Sequence, residues 1–211
     1  NARRGATSHP GIVTTETAVR YEVVDGVAEI TLDHAPVNAL TEAIVDALLQ
    51  ALRRAAADTS ARAVILASAL PRRFCAGLDL AALHGAAPDA MHALLDKLYT
   101  QLTDAQFALG KPSIAAVDGA ARGGGMTLAI GCDLLVAGRG ASFGYPEIDV
   151  GLLPAIHFTH LPRIVGRHRA FDLLFSARSF GAEEAQQLGL VSRLVDEGQA
   201  LAEARALARV L

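Results

Sequence analysis

The chain has 211 residues, enough for one domain with a sizeable core. Hydrophobic residues make up 52%, aromatic residues only 5% and Trp is absent, so the core must be built from Ala, Leu, Val and Ile. A net charge of −3 without a basic block argues against a binder of nucleic acid or of membrane surfaces. Two cysteines are too few for a disulfide framework, and no apolar run approaches the roughly 20 residues of a membrane span. We therefore expect a cytoplasmic protein.

The first elements along the chain are predicted to be a disordered lead-in, a hairpin and a helix. Residues 1–17 contain two arginines but no hydrophobic stretch of the kind found in signal peptides. Two runs, Val19–Val24 and Val27–Leu32, flank Asp25-Gly26, a pair typical of tight hairpin turns. Apolar residues then recur at helical spacing over Thr41–Ala57, with Thr41 as the candidate N-cap.

The middle of the chain alternates strand-like runs with helical patterns. Ala63–Ser68, Ser113–Asp118 and Leu134–Ala137 have the length and the two-sided hydrophobicity of buried strands. Helical patterns cover Ala90–Leu109 and Gly123–Ile130, and a further short helix is expected after Leu80. This alternation predicts an α/β layered domain.

The last third of the chain is predicted to be mostly helical. Residues 138–154 look irregular, and helical patterns follow from Phe158 onward except for a strand at Val191–Val195. We assign residues 18–196 to one core and residues 197–211 to the start of a C-terminal helical region, to which the family resemblance given below assigns a role in oligomerisation.

The glycines Gly123–Gly125 stand where a buried helix is expected to begin. The first N–H groups of a helix lack intrahelical acceptors and carry the positive end of its dipole, so bare backbone there lets an anionic oxygen approach. A second loop, Phe74–Leu80, also follows a buried strand and places Gly77 just before a short helix. Two such turns could converge on one oxygen. Close packing of the helix on the sheet explains the glycine triplet equally well when it is taken alone.

Five separated blocks resemble the crotonase family of enoyl-CoA hydratases and isomerases. They are "ITLDHAPVNAL", "RRFCAGLDLAAL", "KPSIAAVDGAARGGGMTLAIGCDLLVAG", "ASFGYPEIDVGLLP" and "LGLVSRLV", in the family's order and spacing over about Val19–Val195. The resemblance implies a spiral of repeated ββα units followed by a C-terminal helical region. It also implies an acyl-CoA substrate, no cofactor other than the coenzyme A of that substrate, no metal, and a homotrimer or a dimer of trimers.

Carried over position by position, the resemblance implies an oxyanion hole formed by the backbone N–H groups of Leu78 and Gly124, with Glu147 as a catalytic carboxylate. Hydratases of the family use two glutamates, and the position of the first is occupied here by Thr127. Arg72 or Arg73 stands where the family often has a lysine, although an ordinary solvated pair explains them nearly as well. The positions implied to bind substrate or coenzyme A are Asn38, Ala39, Leu40, Arg72, Ala76, Gly77, Asp79, Leu80, Gly123, Thr127, Pro146 and Ala155.

A single carboxylate favours isomerisation over hydration. A double-bond shift needs one base that takes a proton from C2 and returns it at C4, whereas hydration needs a positioned water and paired acid/base groups. We therefore predict an enoyl-CoA isomerase with Glu147 as the base. Two alternatives remain open: a hydratase whose second group is Thr127 with a water molecule, and an acyl-CoA-binding protein with little turnover.

Three other signals are set aside. Gly140–Gly144 matches the G-x-S-x-G pattern of serine hydrolases, but no helix follows it, so Ser142 is expected in a short strand. Cys75 has no evident basic partner and is expected to be a buried structural residue. His157 and His160 have helical spacing without a third metal ligand, so we expect them to line the acyl pocket or to cap a helix.

Overall fold

The computed structural model describes residues 18–80 and 87–211. The predicted lead-in at residues 1–17 and the short helix predicted after Leu80 lie outside the described residues. The strands are β1 (Val19–Val24), β2 (Val27–Leu32), β3 (Ala39–Leu40), β4 (Ala63–Ser68), β5 (Arg73–Cys75), β6 (Gly77–Leu78), β7 (Ser113–Val117), β8 (Ala120–Arg122), β9 (Leu134–Gly138), β10 (Ser142–Gly144), β11 (Phe180–Gly181) and β12 (Arg193–Val195).

The helices are named in the same way. They are α1 (Glu42–Ala57), α2 (Pro88–Asp96), α3 (Leu102–Phe107), α4 (Gly124–Ile130), α5 (His157–Val165), α6 (Arg167–Ser176), α7 (Ala182–Gln187) and α8 (Ala200–Ala208). A π-helical turn, Lys97–Gln101, joins α2 to α3, and a 3₁₀ helix, Pro146–Val150, follows β10.

The strands form a spiral of two larger sheets. The six-stranded sheet has the order β1-β2-β4-β7-β9-β12, in which only the β1-β2 hairpin is antiparallel. The four-stranded sheet has the order β11-β10-β8-β5, and β3 pairs with β6 in a third, two-stranded sheet. Each turn of the spiral runs from a long strand of the first sheet through a short strand of the second, as β7 does through β8 into α4. This is the repeated ββα architecture predicted for the chain.

Local sequence explains the first elements. The turn residues Asp25 and Gly26 have φ angles of 54° and 78°, the left-handed geometry that this kind of hairpin turn requires. Thr41 caps α1 as predicted, because its Oγ1 accepts a hydrogen bond from the backbone N–H of Ile44 at 3.4 Å.

Both faces of the six-stranded sheet are covered. The main core lies on the side of α1, whose apolar stripe, including Val45 and Leu48, is fully buried. A smaller apolar cluster lies on the opposite face, where α8 contributes Ala204 and Leu207 and the sheet contributes Ile65. Two-sided burial explains why the strand at Ala63–Ser68 reads as a continuous apolar run instead of an alternating one.

Two predictions about secondary structure need correction, and the one for Ser142 is confirmed. The single helix expected over Ala90–Leu109 is interrupted by the π-helical turn Lys97–Gln101. The segment at residues 138–154, predicted to be irregular, contains β10. Ser142 lies in this short strand, as predicted. The helical region after Phe158 is divided at Gly166, with a φ of 83°, and contains β11 besides the predicted strand.

Two carboxylates attach α8 to the sheet. Glu29 on β2 is 2% exposed and accepts hydrogen bonds from Arg205 Nε at 2.6 Å and from Arg205 Nη2 at 2.7 Å. Asp118, after β7, accepts hydrogen bonds from the backbone N–H groups of Gly198 at 3.0 Å and Ala200 at 3.1 Å. A bidentate ion pair and an N-terminal cap thus hold α8 over the second apolar cluster.

The substitution Arg205→Ala should leave the buried Glu29 carboxylate without its ion-pair partner. Glu29 is 2% exposed but Arg205 is 46% exposed, so the pair is only half-buried, and we expect a loss of about 1–3 kcal/mol in the free energy of unfolding measured with urea. The matched control is Arg193→Ala, which breaks an ion pair with Glu203 in which both side chains are partly exposed. That loss should stay below about 1 kcal/mol, and equal losses in the two variants would contradict the assignment.

Candidate active site

Gly77 and Gly124 bring two backbone segments together at the centre of the spiral. Gly77 has a φ of +86°, and a Cβ there would lie 3.0 Å from the backbone nitrogen of Gly124 and 2.8 Å from the carbonyl oxygen of Arg122. No residue but glycine fits this approach without a shift of backbone. The start of β6 and the start of α4 are therefore in direct contact.

The two predicted oxyanion donors lie on these segments. The N–H of Asp79 donates to Leu40 O at 3.1 Å, so alternation along the strand turns the N–H of Leu78 to the side away from β3. Gly124 is the first residue of α4, where an N–H has no intrahelical acceptor and lies at the positive end of the helix dipole. Both amides belong to residues that line one cavity, described below.

A side chain at each of the three consecutive glycines would meet a different neighbour. A Cβ on Gly123 would lie 2.9 Å from Glu147 Oε1, so this glycine makes room for a carboxylate. A Cβ on Gly124 would meet the ends of the Leu40 and Leu98 side chains at 3.1 and 3.2 Å, and both of these side chains belong to the buried core. A Cβ on Gly125 would lie 2.3 Å from the carbonyl oxygen of Cys75, which is the close-packing explanation. Packing therefore accounts for Gly124 and Gly125, and space for a carboxylate accounts for Gly123.

Glu147 is a buried carboxylate without a partner. It lies on the 3₁₀ helix Pro146–Val150, is 9% exposed, and neither carboxylate oxygen has a hydrogen-bond partner among the described residues. Burial is the main cause that raises its pKa above the ordinary value of 4.5, because a desolvated carboxylate is disfavoured in its charged form. Such a group is a stronger base than an exposed glutamate once it is ionised.

The cavity in front of Glu147 has a volume of about 610 Å³. The predicted residues that line it are Ala76, Gly77, Leu78, Leu80, Gly123, Gly124, Pro146, Glu147 and Ala155. Most of the remaining wall comes from one face of α2 with the π-helical turn and from the segment after the 3₁₀ helix. These walls include Leu95, Tyr99, Val150, Leu152 and Leu153.

The other predicted binding residues do not line this cavity. Asn38 is fully buried and holds the neighbouring loops, since its Oδ1 accepts from the N–H of His34 and its Nδ2 donates to Ser68 Oγ and Phe74 O. Ala39 and Leu40 form β3, which supports β6 from the side. The other predicted binding residues outside the cavity lining are Arg72, Asp79 and Thr127. Arg72 is exposed, in a turn where its φ is 54°.

Thr127 is hydrogen-bonded to a histidine. Its Oγ1 lies 3.1 Å from Nε2 of His157, and both residues are buried, His157 completely. Burial, followed by the nearby His160, lowers the pKa of His157 to about 3. The imidazole is therefore neutral near pH 7, and the hydroxyl that stands at the position of the missing carboxylate faces it.

Tyr99 lines the cavity and carries a titratable hydroxyl, and the sequence did not identify it as a site residue. It lies on the π-helical turn, a feature that often marks functional sites. Burial and then the charge of Glu147 raise its pKa to about 12, so the phenol stays protonated and can donate a hydrogen bond. Its spacing from His92 and Leu95 matches one helical face, a pattern that could have identified this wall.

Within residues 18–80 and 87–211, no group of three or more His, Cys, Asp or Glu side chains is arranged to hold a metal ion. His157 instead bonds Thr127, and His160 stacks on Phe107 with ring centroids 5.9 Å apart. Cys75 is buried, and its thiol donates to Asn38 O at 3.1 Å, which fits the structural role expected for it.

The substitution Glu147→Gln should stabilise the fold in a pH-dependent way. Because the pKa is raised on folding, the ionised carboxylate penalises the folded state only as the pH rises above the ordinary value of 4.5. We expect the variant to gain about 1–3 kcal/mol in free energy of unfolding at about pH 8, and to lose this gain on acidification toward 4.5. Urea unfolding across this range tests it.

The control for that measurement is Asp149→Asn, an exposed carboxylate on the same 3₁₀ helix. Its effect should stay within about 0.5 kcal/mol at every pH. A gain for Glu147→Gln that does not change with pH would mean that charge burial is not its cause.

No helix among the described residues is long and apolar enough to cross a membrane. The chain is 38% identical over 178 residues to the Arabidopsis thaliana protein named "Probable enoyl-CoA hydratase 2, mitochondrial", covering 83% of this chain and 58% of that protein. It is 37% identical over 214 residues to "Enoyl-CoA hydratase domain-containing protein 2, mitochondrial" of Bos taurus, covering 98% of this chain and 72% of the relative.

Solved structures agree with these relatives. The enoyl-CoA hydratase from Bacillus anthracis superposes with a TM-score of 0.87 at 29% identity, covering 92% of this chain and 76% of that one. The family model described as "Enoyl-CoA hydratase/isomerase" matches residues 22–211. The chain therefore belongs to the enoyl-CoA hydratase/isomerase family, the crotonase family that its sequence blocks resemble.

Proposed function

We propose that the protein isomerises enoyl-CoA thioesters, with Glu147 as the single base. The observation that carries the proposal is the hydrogen bonding of the two carboxylates that line the cavity, Asp96 and Glu147. Asp96 accepts a hydrogen bond from Gln101 Nε2 at 2.9 Å, whereas both oxygens of Glu147 are buried and unpartnered among the described residues. Glu147 also stands beside the glycine backbone, and Asp96 belongs to the opposite wall.

The backbone N–H groups of Leu78 and Gly124 would hold the thioester oxygen. Loss of a proton from C2 moves an electron pair toward the carbonyl, and the oxygen becomes that of a dienolate. Two fixed N–H donors, one of them at a helix N-terminus, stabilise that charge more than they stabilise the neutral thioester. The close approach of Gly77 to Gly124 supports this arrangement, because it keeps the two donors on one cavity.

Glu147 would transfer the proton in both halves of the reaction. Its carboxylate takes the proton from C2 of a 3-enoyl-CoA, which breaks a C–H bond and forms the neutral acid. The acid then delivers the same proton to C4, the double bond settles between C2 and C3, and the carboxylate is restored. A pKa raised by burial suits a group that must both accept and return a proton.

The second candidate is hydration of a 2-enoyl-CoA, and the names of the relatives favour it. Addition of water to C3 needs a water molecule held on the face of the acyl group near the catalytic carboxylate. Thr127 would be the group to hold it, but its hydroxyl faces His157 instead of the cavity. For this reason isomerisation is the first proposal.

Two further expectations from the sequence belong with this proposal. We expect a homotrimer or a dimer of trimers, and the exposed apolar side chains of Ile164 and Phe175 on neighbouring helices support burial against another copy. The net charge and the paucity of cysteines support a cytoplasmic location.

Turnover should depend on Glu147 and not on Asp149. With 3-enoyl-CoA as substrate, formation of the conjugated 2-enoyl product followed by its absorbance should fall by about 10³-fold or more in Glu147→Gln, since the variant retains the shape but cannot accept the proton. Asp149→Asn should keep near-native turnover. Retained isomerisation in Glu147→Gln would remove this residue as the base.

Gly77→Ala should weaken catalysis by displacing the backbone N–H donor of Gly124. Its methyl group would lie 3.0 Å from the Gly124 nitrogen, so we expect kcat/KM to fall by about 10²-fold or more. Gly110→Ala is the matched control, because Gly110 also has a positive φ, 64°, but a Cβ there meets nothing within 4 Å. The control should lose about 1 kcal/mol of stability and no catalysis. Equal losses of kcat/KM in both variants would contradict an oxyanion role for this contact.

A further inference from the structure

A buried group of polar side chains lies behind the wall that carries Glu147. His157, which is 0% exposed, bonds Thr127 at 3.1 Å and packs its ring on Tyr145 with centroids 4.5 Å apart at an angle of 58°. We call these three side chains the His157 plug. None of the three lines the cavity of about 610 Å³.

The plug is adjacent to the catalytic backbone. Thr127 lies one helical turn after Gly124, and its N–H donates to the carbonyl oxygen of Gly123 at 3.1 Å. Gly123 in turn is the residue whose missing Cβ accommodates the Glu147 carboxylate. One residue, Gly123, thus separates the plug from the base.

The plug is polar but leaves almost no space for water. A small pocket lined by Thr103, Thr127 and His157, with Phe107 and His160 among its other walls, has a volume of about 10 Å³, at or below what one water molecule requires. Several polar atoms nearby nevertheless have no partner among the described residues, namely Tyr145 OH, His157 Nδ1 and Thr103 Oγ1. Buried polar atoms of this kind normally bind water where there is room for it, so we expect the imidazole to fill space that water would otherwise take.

We infer that His157 is a specificity-determining residue, because its imidazole occupies the space from which a water molecule could reach the acyl group beside Glu147. This inference rests on the proposed isomerase function. With the imidazole removed, the hydroxyls of Thr127 and Tyr145 would line a space able to hold a water. That water could add its oxygen to C3 of the 2-enoyl product and give a proton to Glu147, which passes it to C2, so that the products are 3-hydroxyacyl-CoA and the regenerated carboxylate.

The neutral state of His157 agrees with a sealing role. Burial lowers its pKa to about 3, so the imidazole does not become charged near pH 7 and requires neither a counter-ion nor hydration. An uncharged ring packed on Tyr145 is a stable filling for this position.

The experiment measures how the product divides between isomerisation and hydration. Purified wild type and variants receive 3-enoyl-CoA, and chromatography gives the ratio of 3-hydroxyacyl-CoA to 2-enoyl-CoA at equal conversion. We expect the ratio to rise by about tenfold or more in His157→Ala and in His157→Ser. Two controls should keep the wild-type ratio: His157→Phe, which restores an aromatic ring of similar size, and His160→Ala, which removes the next histidine along α5.

The ratio does not depend on how much of each variant is folded, and His157→Ser, which retains a hydroxyl, decides the matter if His157→Ala does not fold. An unchanged ratio in active His157→Ala or His157→Ser overturns the role of His157 while leaving the isomerase proposal intact. A wild type that forms mainly 3-hydroxyacyl-CoA from 2-enoyl-CoA and does not isomerise 3-enoyl-CoA overturns the proposed function, and the plug with it. An equal rise in His160→Ala also counts against the specific role of His157.

Discussion

The burial of one unpartnered carboxylate is the constraint on which the site depends. Glu147 is folded against the bare Cα of Gly123, with neither oxygen hydrogen-bonded within the described part of the chain. Such burial costs free energy that the hydrophobic core must offset. The same desolvation that destabilises the fold makes an ionised carboxylate a stronger base, so the loss of stability and the basicity on which the proposed reaction depends have one cause.

The surrounding backbone is organised around that carboxylate. The start of a strand and the start of a helix, at Gly77 and Gly124, touch closely enough that Gly77 must lack a side chain. The first glycine of the triplet gives space to the carboxylate, and the last allows α4 to pack on Cys75. Placing two amides and one acid on one cavity therefore requires three chain segments that are distant in sequence, and the two-sheet spiral is what brings them together.

The sequence predicted the elements whose signals are local and long. The hairpin, α1 with its Thr41 cap and the strand Ala63–Ser68 agree with the structure because apolar spacing and turn chemistry determine them. Most strands of two or three residues, such as β3, β6 and β8, were missed because their pairing is tertiary and leaves no periodic pattern. Within the site, the family blocks identified the glycines and Glu147, but not Tyr99 or the bond between Thr127 and His157. These depend on how helices pack across the cavity, which a single sequence does not encode locally.

The ion pair between Glu29 and Arg205 has a consequence for the order of folding. The two residues are 176 positions apart, so their contact closes a very long loop. It contributes no net stabilisation until most of the intervening chain has folded. The hairpin that carries Glu29 can form early from local contacts, yet the face beneath α8 stays uncovered until the helix arrives. Interactions that form this late in folding mainly slow unfolding. The ion pair between Glu29 and Arg205 therefore affects the lifetime of the native state more than the rate of folding.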